Sequence, residues 1–320
     1  MSDFWQPTAT LANLQLRASI FAKIRAFFAE RGVLEVETPL LCHSTATDLY
    51  IDSFTTCYQF DNRTYYLQTS PEFAMKRLLA NGSGAIYQLS KAFRHEPNGH
   101  LHNPEFTMLE WYRPGFNHHD LMDEMDDLLH LVLKTPSAIR FSYAELFKHY
   151  LSLDPHGSDL TTLQNCAIQH HLDGLTDLQA LNRDDWLNLL MTHYIEPRLS
   201  HERPIFIYDY PTSQAALARI RAEQPPVAER FEVYFRSIEL ANGYHELSDA
   251  TEQQERFKRD IQMRQQRGYP TLPVDEKLLA ALRQGFPDCA GVALGIDRLI
   301  QLVANAPSIA DVISFAWERV

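Results

Sequence analysis

AIYQLSKAFRHEPNGHLHNPEFTMLEWYRP, residues Ala85–Pro114, reads as strand, loop, strand. The first run, Ala85–Glu96, alternates and ends with Arg94 and Glu96 two residues apart, so both fall on one face. Pro97–Asn103 holds Pro, Asn, Gly and two His, a cluster that breaks regular structure. Pro104 stands at the mouth of the return run, where a missing N–H does least harm. Phe106, Glu110 and Tyr112 then share a face at even spacing. One sheet face thus offers a guanidinium, an aromatic ring and carboxylates side by side. The planar fork of Arg suits phosphate oxygens. Phe106 could stack on a base, and Glu110 could hold an amine. The plainer alternative is a solvated, salt-bridged hairpin with an aromatic cross-strand pair, which spacing alone does not exclude.

At 320 residues the chain can bury a full core as one large domain or two small ones. An apolar share of 45% is ordinary for a globular protein. No apolar run approaches the roughly 18–20 residues that span a bilayer. The N-terminus lacks a basic stretch followed by an apolar one, so no secretion signal is read and a cytoplasmic location is expected. Cys42, Cys57, Cys166 and Cys289 are scattered, as in reduced thiols. The pairs His118–His119 and His170–His171 lack metal-ligand spacing. The formal net charge is −12 and no block of Lys and Arg appears. That balance leans against a tRNA partner and allows a basic protein partner.

Residues 1–10 read as a loose tail. Leu11–Arg31 carries apolar residues at helical spacing, stopped by Gly32. Val33–Glu37 reads as a short strand and Tyr65–Gln68 as another. Thr69-Ser70-Pro71-Glu72 opens a helix that runs to Asn81-Gly82, with Ser70 as N-cap and Pro71 at the first helical position. Glu72 suits the helix dipole there, or could hold a substrate amine. Residues 116–204 show helical stretches at His119–Lys134, Ser142–Tyr150, Thr161–His171 and Arg183–Leu199. Asp120, Asp123, Glu124, Asp126 and Asp127 read as one wet helix face. The segment is expected to be a helical insertion covering the sheet, within a single domain of residues 1–320. Ile205–Tyr210 reads as a strand that Pro211 breaks.

AERFEVYFRSIELANGYHEL, Ala228–Leu247, is the second dense region. A two-residue turn at Arg236-Ser237 pairs Tyr234 with Glu239 and puts Glu232 and Glu239 on one face. A turn at Asn242-Gly243, the stronger local signal, pairs Glu239 with Glu246 instead. Either register sets two carboxylates together, which destabilises an empty sheet. A cation relieves that, and oxygen-only ligands beside a triphosphate suit magnesium. The alternative is three glutamates on a wet surface. In the last dense stretch, Cys289–Asn305, Gly291 and Gly295 would let backbone approach a ligand closely. Asp297 sits near the cap of the following helix. Arg298 falls in its first turn, a good anion site.

These stretches carry a resemblance. FRHE with HNPEFTMLEWY resembles motif 2 of the class II aminoacyl-tRNA synthetases in its lysyl version. GVALGIDRL resembles motif 3 and RGVLEVETPLL motif 1, in the family's order. The resemblance implies an α+β fold, an antiparallel sheet flanked by helices, and a homodimer built on the first helix–strand unit. It implies attack of a carboxylate on the α-phosphorus of ATP, with Arg94 at the α-phosphate and Arg298 at the γ-phosphate. It places Phe106 under adenine and His95, Glu96, Asn103, Leu240 and Gly295 around the nucleotide. It selects the turn at Arg236-Ser237 and puts Mg2+ on Glu232 and Glu239. Glu246 then falls out of phase unless the strand bulges near Gly243. Ser70, Pro71, Glu72, Glu110, Tyr112, Asn242, Glu246 and Ala293 are assigned to the amino acid. Three carboxylates around one pocket point to a diamino acid such as lysine.

Lysyl-tRNA synthetases carry an RNA-gripping OB-fold before motif 1, whereas about ten residues precede the first helix here. No OB-fold domain is therefore expected. The short form, with YPTSQAAL at Tyr210–Leu217, is similar to the elongation factor P–(R)-β-lysine ligases. The implied acceptor is then a lysine of elongation factor P, and the implied substrate is (R)-β-lysine or lysine. Ala293 stands where lysyl enzymes usually have Gly, and a methyl at the pocket floor would favour a shifted amino group. His95 stands where most of them have Asn. Two other classes are open: a short adenylating paralogue that uses tRNA or a small amine such as ammonia as acceptor, and a regulatory subunit that only binds amino acid.

Overall fold

The computed structural model describes residues 5–172 and 181–320. Its centre is the predicted hairpin. β5 (Ile86–Phe93) and β6 (Glu105–Pro114) pair antiparallel, with Ile86 opposite Tyr112, Gln88 opposite Glu110 and Ala92 opposite Phe106. β6 pairs on its other edge with β12 (Cys289–Gly295). β12 pairs with β11 (Ile238–His245), β11 with β10 (Val227–Phe235), and β10 with β8 (Ile205–Pro211), all antiparallel. The short β9 (Ile220–Arg221) joins the edge of β10.

The edges add two parallel pairs to the expected antiparallel sheet. β1 (Leu34–Glu35) lies parallel to β5, and it is shorter than the predicted Val33–Glu37. At the far edge β7 (Ile139–Ser142) lies parallel to β8. The 116–204 segment is thus not purely helical, because it contributes a strand to the sheet. A small second sheet joins β2 (Leu41–Cys42), β4 (Arg63–Leu67) and β3 (Thr55–Tyr58).

Alternation gives the main sheet one dry face. Tyr87, Leu109, Trp111, Phe231, Val233, Val292 and Leu294 pack there against α1 (Leu11–Glu30), α3 (His118–Leu133) and α9 (Ile296–Ala304). Thr10 caps α1 through its hydroxyl, and Gly32 takes the positive φ that ends it. The predicted wet face of α3 is only partly wet. Glu124 is buried, accepts from Trp111 Nε1 at 3.0 Å and lies 3.4 Å from Arg113. A buried carboxylate needs such partners, so Glu124 ties helix to sheet.

On the other face α4 (Tyr143–Leu151), α5 (Leu160–Gln169) and α6 (Arg183–Leu190) build a second core on β8 and β10 around Phe147, Trp186 and Leu187. The predicted helix Arg183–Leu199 ends its regular part at Leu190, followed by a wider turn over Met191–Ile195. α2 (Glu72–Ala80), α7 (Ala250–Gln266) and α8 (Glu276–Gln284) close the remaining side. Residues 1–4 of the predicted tail lie outside the described residues. Its described end is tied down, since Thr8 Oγ1 donates to the Ile313 carbonyl at 2.8 Å and Ala9 is buried.

One tie joins three distant stretches. Buried Asp297 accepts from Arg17 of α1 at 2.6 Å and from the Thr107 N–H of β6 at 2.7 Å. Arg17 also donates to Thr107 Oγ1 at 2.8 Å. Asp297 is therefore a clamp rather than a cap. Asp297→Ala should cost about 3 kcal/mol, because it strands Arg17 and a buried N–H. Urea denaturation would show a lower midpoint at unchanged slope, and an unaltered midpoint would refute the clamp.

Candidate active site

The residues between the sheet's second face and the flanking helices enclose a cavity of about 1150 Å3. Arg94, Glu96, Asn103, Phe106, Glu239, Leu240, Gly295 and Arg298 line one part of it. Arg94 follows β5, yet its N–H still donates to the Pro104 carbonyl at 3.0 Å, so its side chain stays on the cavity face. Its guanidinium lies 5.2 Å from the Phe106 ring centroid, within cation–π range. Arg94 Nε is buried without a hydrogen-bond partner. Arg298 makes no salt bridge among the described residues, although its charge acts on the Glu239 carboxylate. It donates to the Leu101 carbonyl at 3.2 Å and the Glu239 carbonyl at 2.8 Å, and it meets His102 Nε2 at 2.9 Å. Carbonyl partners orient a guanidinium without cancelling its charge, so both arginines keep their pull on an anion.

Ser70, Glu72, Glu110, Tyr112, Asn242, Glu246 and Ala293 line the other part. Tyr112 donates to Glu110 Oε1 at 2.6 Å, and Glu110 Oε2 is buried without a partner. Burial, then the Glu72 charge, hold the Glu110 carboxyl well above the usual range. Burial likewise pushes Glu246 up to about 7, with Lys76 opposing and Glu72 reinforcing the shift. Lys76, absent from the expected site, lies between Glu72 at 2.7 Å and Glu246 at 2.6 Å. Its position four residues after Glu72 was a readable signal, because that spacing stacks two side chains on one helix face.

The turn at Arg236-Ser237 is the one that forms, both residues taking positive φ, and Tyr234 pairs with Glu239. The bulge needed to bring Glu246 into phase is present, but at Leu240 rather than near Gly243. Val233 opposes Ala241 while Tyr234 opposes Glu239, which leaves Leu240 as the extra residue. Glu232, Glu239, Asn242 and Glu246 therefore all face the cavity. Glu232 is not bare. It accepts from the hydroxyls of Tyr210 and Tyr234, each at 2.7 Å, and pairs with Arg230. The Glu239 carboxylate accepts no hydrogen bond among the described residues. The walls around it and the Glu232 charge raise its pKa above the ordinary carboxylate range. Two carboxylates in repulsion, with oxygens left over, fit a hard divalent cation.

Three expected site features fall elsewhere. His95 turns away from the cavity: its N–H donates to the Asp52 carbonyl at 2.8 Å and its ring meets Phe54 edge-on at 5.1 Å. Pro71 caps α2 without lining the cavity, and Ser70 accepts only a long bond of 3.4 Å from the Glu72 N–H. The space at Gly291 is filled by protein, because a Cβ there would overlap the Tyr112 ring and come within 2.6 Å of Glu246 Oε1. Gly295 is open, its nearest neighbour being the Leu240 carbonyl at 3.7 Å. The sequence also missed Glu196 and Asp184 from the insertion, and Arg256 and Asp260 from α7, all on the cavity wall. Separately, His118 and His245 meet Glu229 with ligand-type atoms within 4.8 Å. Glu229 already accepts from His245 at 2.6 Å and Arg221 at 3.2 Å, and His245 also reaches Asp288, so opposite charges fill that cluster.

Among the described residues no helix is long and apolar enough to cross a membrane. Residues 3–319 match the family model of class II tRNA synthetases (D, K and N), and the chain belongs to that family. Along its length it is similar to proteins named elongation factor P–(R)-beta-lysine ligase. Those of Salmonella paratyphi B and Salmonella enteritidis PT4 are 50% identical over 319 residues, covering 98% of each chain. That of Salmonella dublin is 51% identical over the same span.

Gly291→Ala should tilt the Tyr112 ring and break its bond to Glu110, at a cost of about 1–3 kcal/mol. A crystal structure and a melting curve would test this; an unmoved ring and an unchanged melting temperature would contradict it.

Proposed function

We propose that the chain activates (R)-β-lysine, or lysine, with ATP and passes it to the ε-amino group of a lysine on elongation factor P. The observation that carries this is one cavity with two arginines that make no salt bridge among the described residues at one part and three clustered carboxylates at the other. The full-length similarity to proteins of that name supports the choice of acceptor.

A carboxylate oxygen of the amino acid attacks the α-phosphorus, the bond to the β-phosphate bridging oxygen breaks, and pyrophosphate leaves. The acceptor amine then attacks the acyl carbon, AMP leaves, and the amine's extra proton goes to water. Both reactants of the first step are anions, so charge repulsion and orientation dominate its barrier. Arg94 steadies the α-phosphate and Arg298 the γ-phosphate. Phe106 stacks on adenine beside Glu96, Asn103 and the Leu240–Gly295 backbone. Glu232 and Glu239 would hold magnesium, which neutralises phosphate charge. Glu72, Glu110, Tyr112, Asn242 and Glu246 receive the amino acid. The exposed Leu34, Leu40 and Leu41, on and beside the edge strands, support a homodimer.

Arg298→Ala should lower the rate of ATP–pyrophosphate exchange about 100-fold or more while the fold persists by circular dichroism. Full exchange activity would rule out its phosphate role. Ala293, opposite Asn242 on the cavity wall, should set the amine position. Exchange assays on Ala293→Gly should shift preference from β-lysine toward α-lysine, and an unchanged ratio would remove Ala293 from the specificity argument.

A further inference from the structure

Lys76 takes no part in the chemistry above, yet it is 2% exposed and sits inside the carboxylate cluster. A charge buried that deeply is retained only where partners hold it. Its ammonium meets Glu72 Oε1 at 2.7 Å and Glu246 Oε2 at 2.6 Å. Glu246 Oε1 is buried without a hydrogen bond among the described residues. Both carboxylates lie on the cavity wall.

Three carboxylates crowded into one wall would ordinarily take up protons rather than stay charged. Glu110 does so: it is buried beside Glu72 and Glu246, and its partner is a hydroxyl, not a cation. An amine-binding wall needs the opposite state, because a protonated carboxyl attracts an ammonium far less. Lys76 lies against Glu72 and Glu246, whereas Glu110 has only the Tyr112 hydroxyl.

We propose that Lys76 is a positioning residue of the amino-acid pocket: its ammonium orients Glu72 and Glu246 and favours the ionised form of Glu246, leaving Glu72 Oε2 and Glu246 Oε1 for the substrate's amines. The inference rests on the functional reading above and deepens it. Burial works against the Lys76 ammonium, but the Glu246 and Glu72 charges outweigh it and hold its pKa above the ordinary value. It therefore stays cationic through the neutral range. The other titratable groups facing this cluster are Glu110 and Tyr112 of β6, Tyr244 of β11, His245 beside Glu246, and Cys289 of β12. None of them supplies a cation between the two carboxylates.

The test is ATP–pyrophosphate exchange with (R)-β-lysine from about pH 6 to about pH 9 on wild type, Lys76→Met and Lys76→Arg. Without the cation the Glu246 carboxyl is pushed further up, so less of it is ionised at neutral pH. Lys76→Met should raise the amino-acid KM about tenfold or more at pH 7, and raising the pH should recover much of it. The KM for ATP should stay within about twofold, and Lys76→Arg should resemble wild type. A merely structural lysine would give a loss that ignores pH and strikes both substrates alike, and that result overturns the proposal, as does an unchanged amino-acid KM. If Lys76→Met does not fold, Lys76→Gln carries the same expectations with its polar contacts kept. Active wild type beside an indifferent variant sinks this inference alone. Wild type that exchanges with no diamino acid sinks it together with the functional reading.

Discussion

The pairing register of β6 with its two neighbours is the constraint on which the molecule rests. Leu109 and Trp111 point into the dry core while Glu110 and Tyr112 point into the cavity. A slip of one residue against β5 or β12 would exchange these sets, burying Glu110 among Phe28 and Leu128 and turning Trp111 to the cavity. The exchange is unaffordable on both faces, so the core that stabilises the sheet also fixes the side chains of the site. Trp111 locks the register further through its bond to Glu124, and the Arg17–Asp297–Thr107 tie pins the strand's start to two helices.

The cavity carries like charges that an empty protein would not favour. Its answer differs from place to place. Arg298 is oriented by carbonyls, so its charge is not spent on an acid. Glu232 is held by two tyrosine hydroxyls and Arg230, which fix its carboxylate beside Glu239. Glu110 is pushed toward the protonated form by burial. Glu72 and Glu246 share Lys76. The remaining imbalance, an unpartnered Arg94 Nε and a free Glu246 oxygen, is what a bound anion and a bound amine would relieve.

Local rules carried the reading where the decisive forces act over a few residues. The Ala85–Pro114 hairpin and the α1 helix with its Gly32 stop both form, whereas at Arg236-Ser237 the turn forms against the stronger local signal at Asn242-Gly243. Each depends on alternation, periodicity or the φ that a residue tolerates. The misses share a cause. Glu124 was placed in water because helix periodicity cannot show that Trp111 and two arginines wait across the gap. His95 was placed at the nucleotide by the resemblance, which cannot show that here the chain leaves the sheet to meet Phe54. Gly291 was read as ligand space, whereas the Tyr112 ring of the next strand fills it.

The amino-acid sequence by itself determined the order of elements, the alternation that divides core from cavity, and the supply of charges that the cavity uses. Those follow from covalent neighbours and short-range sterics. Only the tertiary structure decided the bulge at Leu240 that brings Glu246 into line, the parallel edge strand from the insertion, and the lodging of Lys76 between two carboxylates. Each of these depends on groups far apart along the chain, and the energy of a buried charge is set by whatever the fold places within a few ångströms of it.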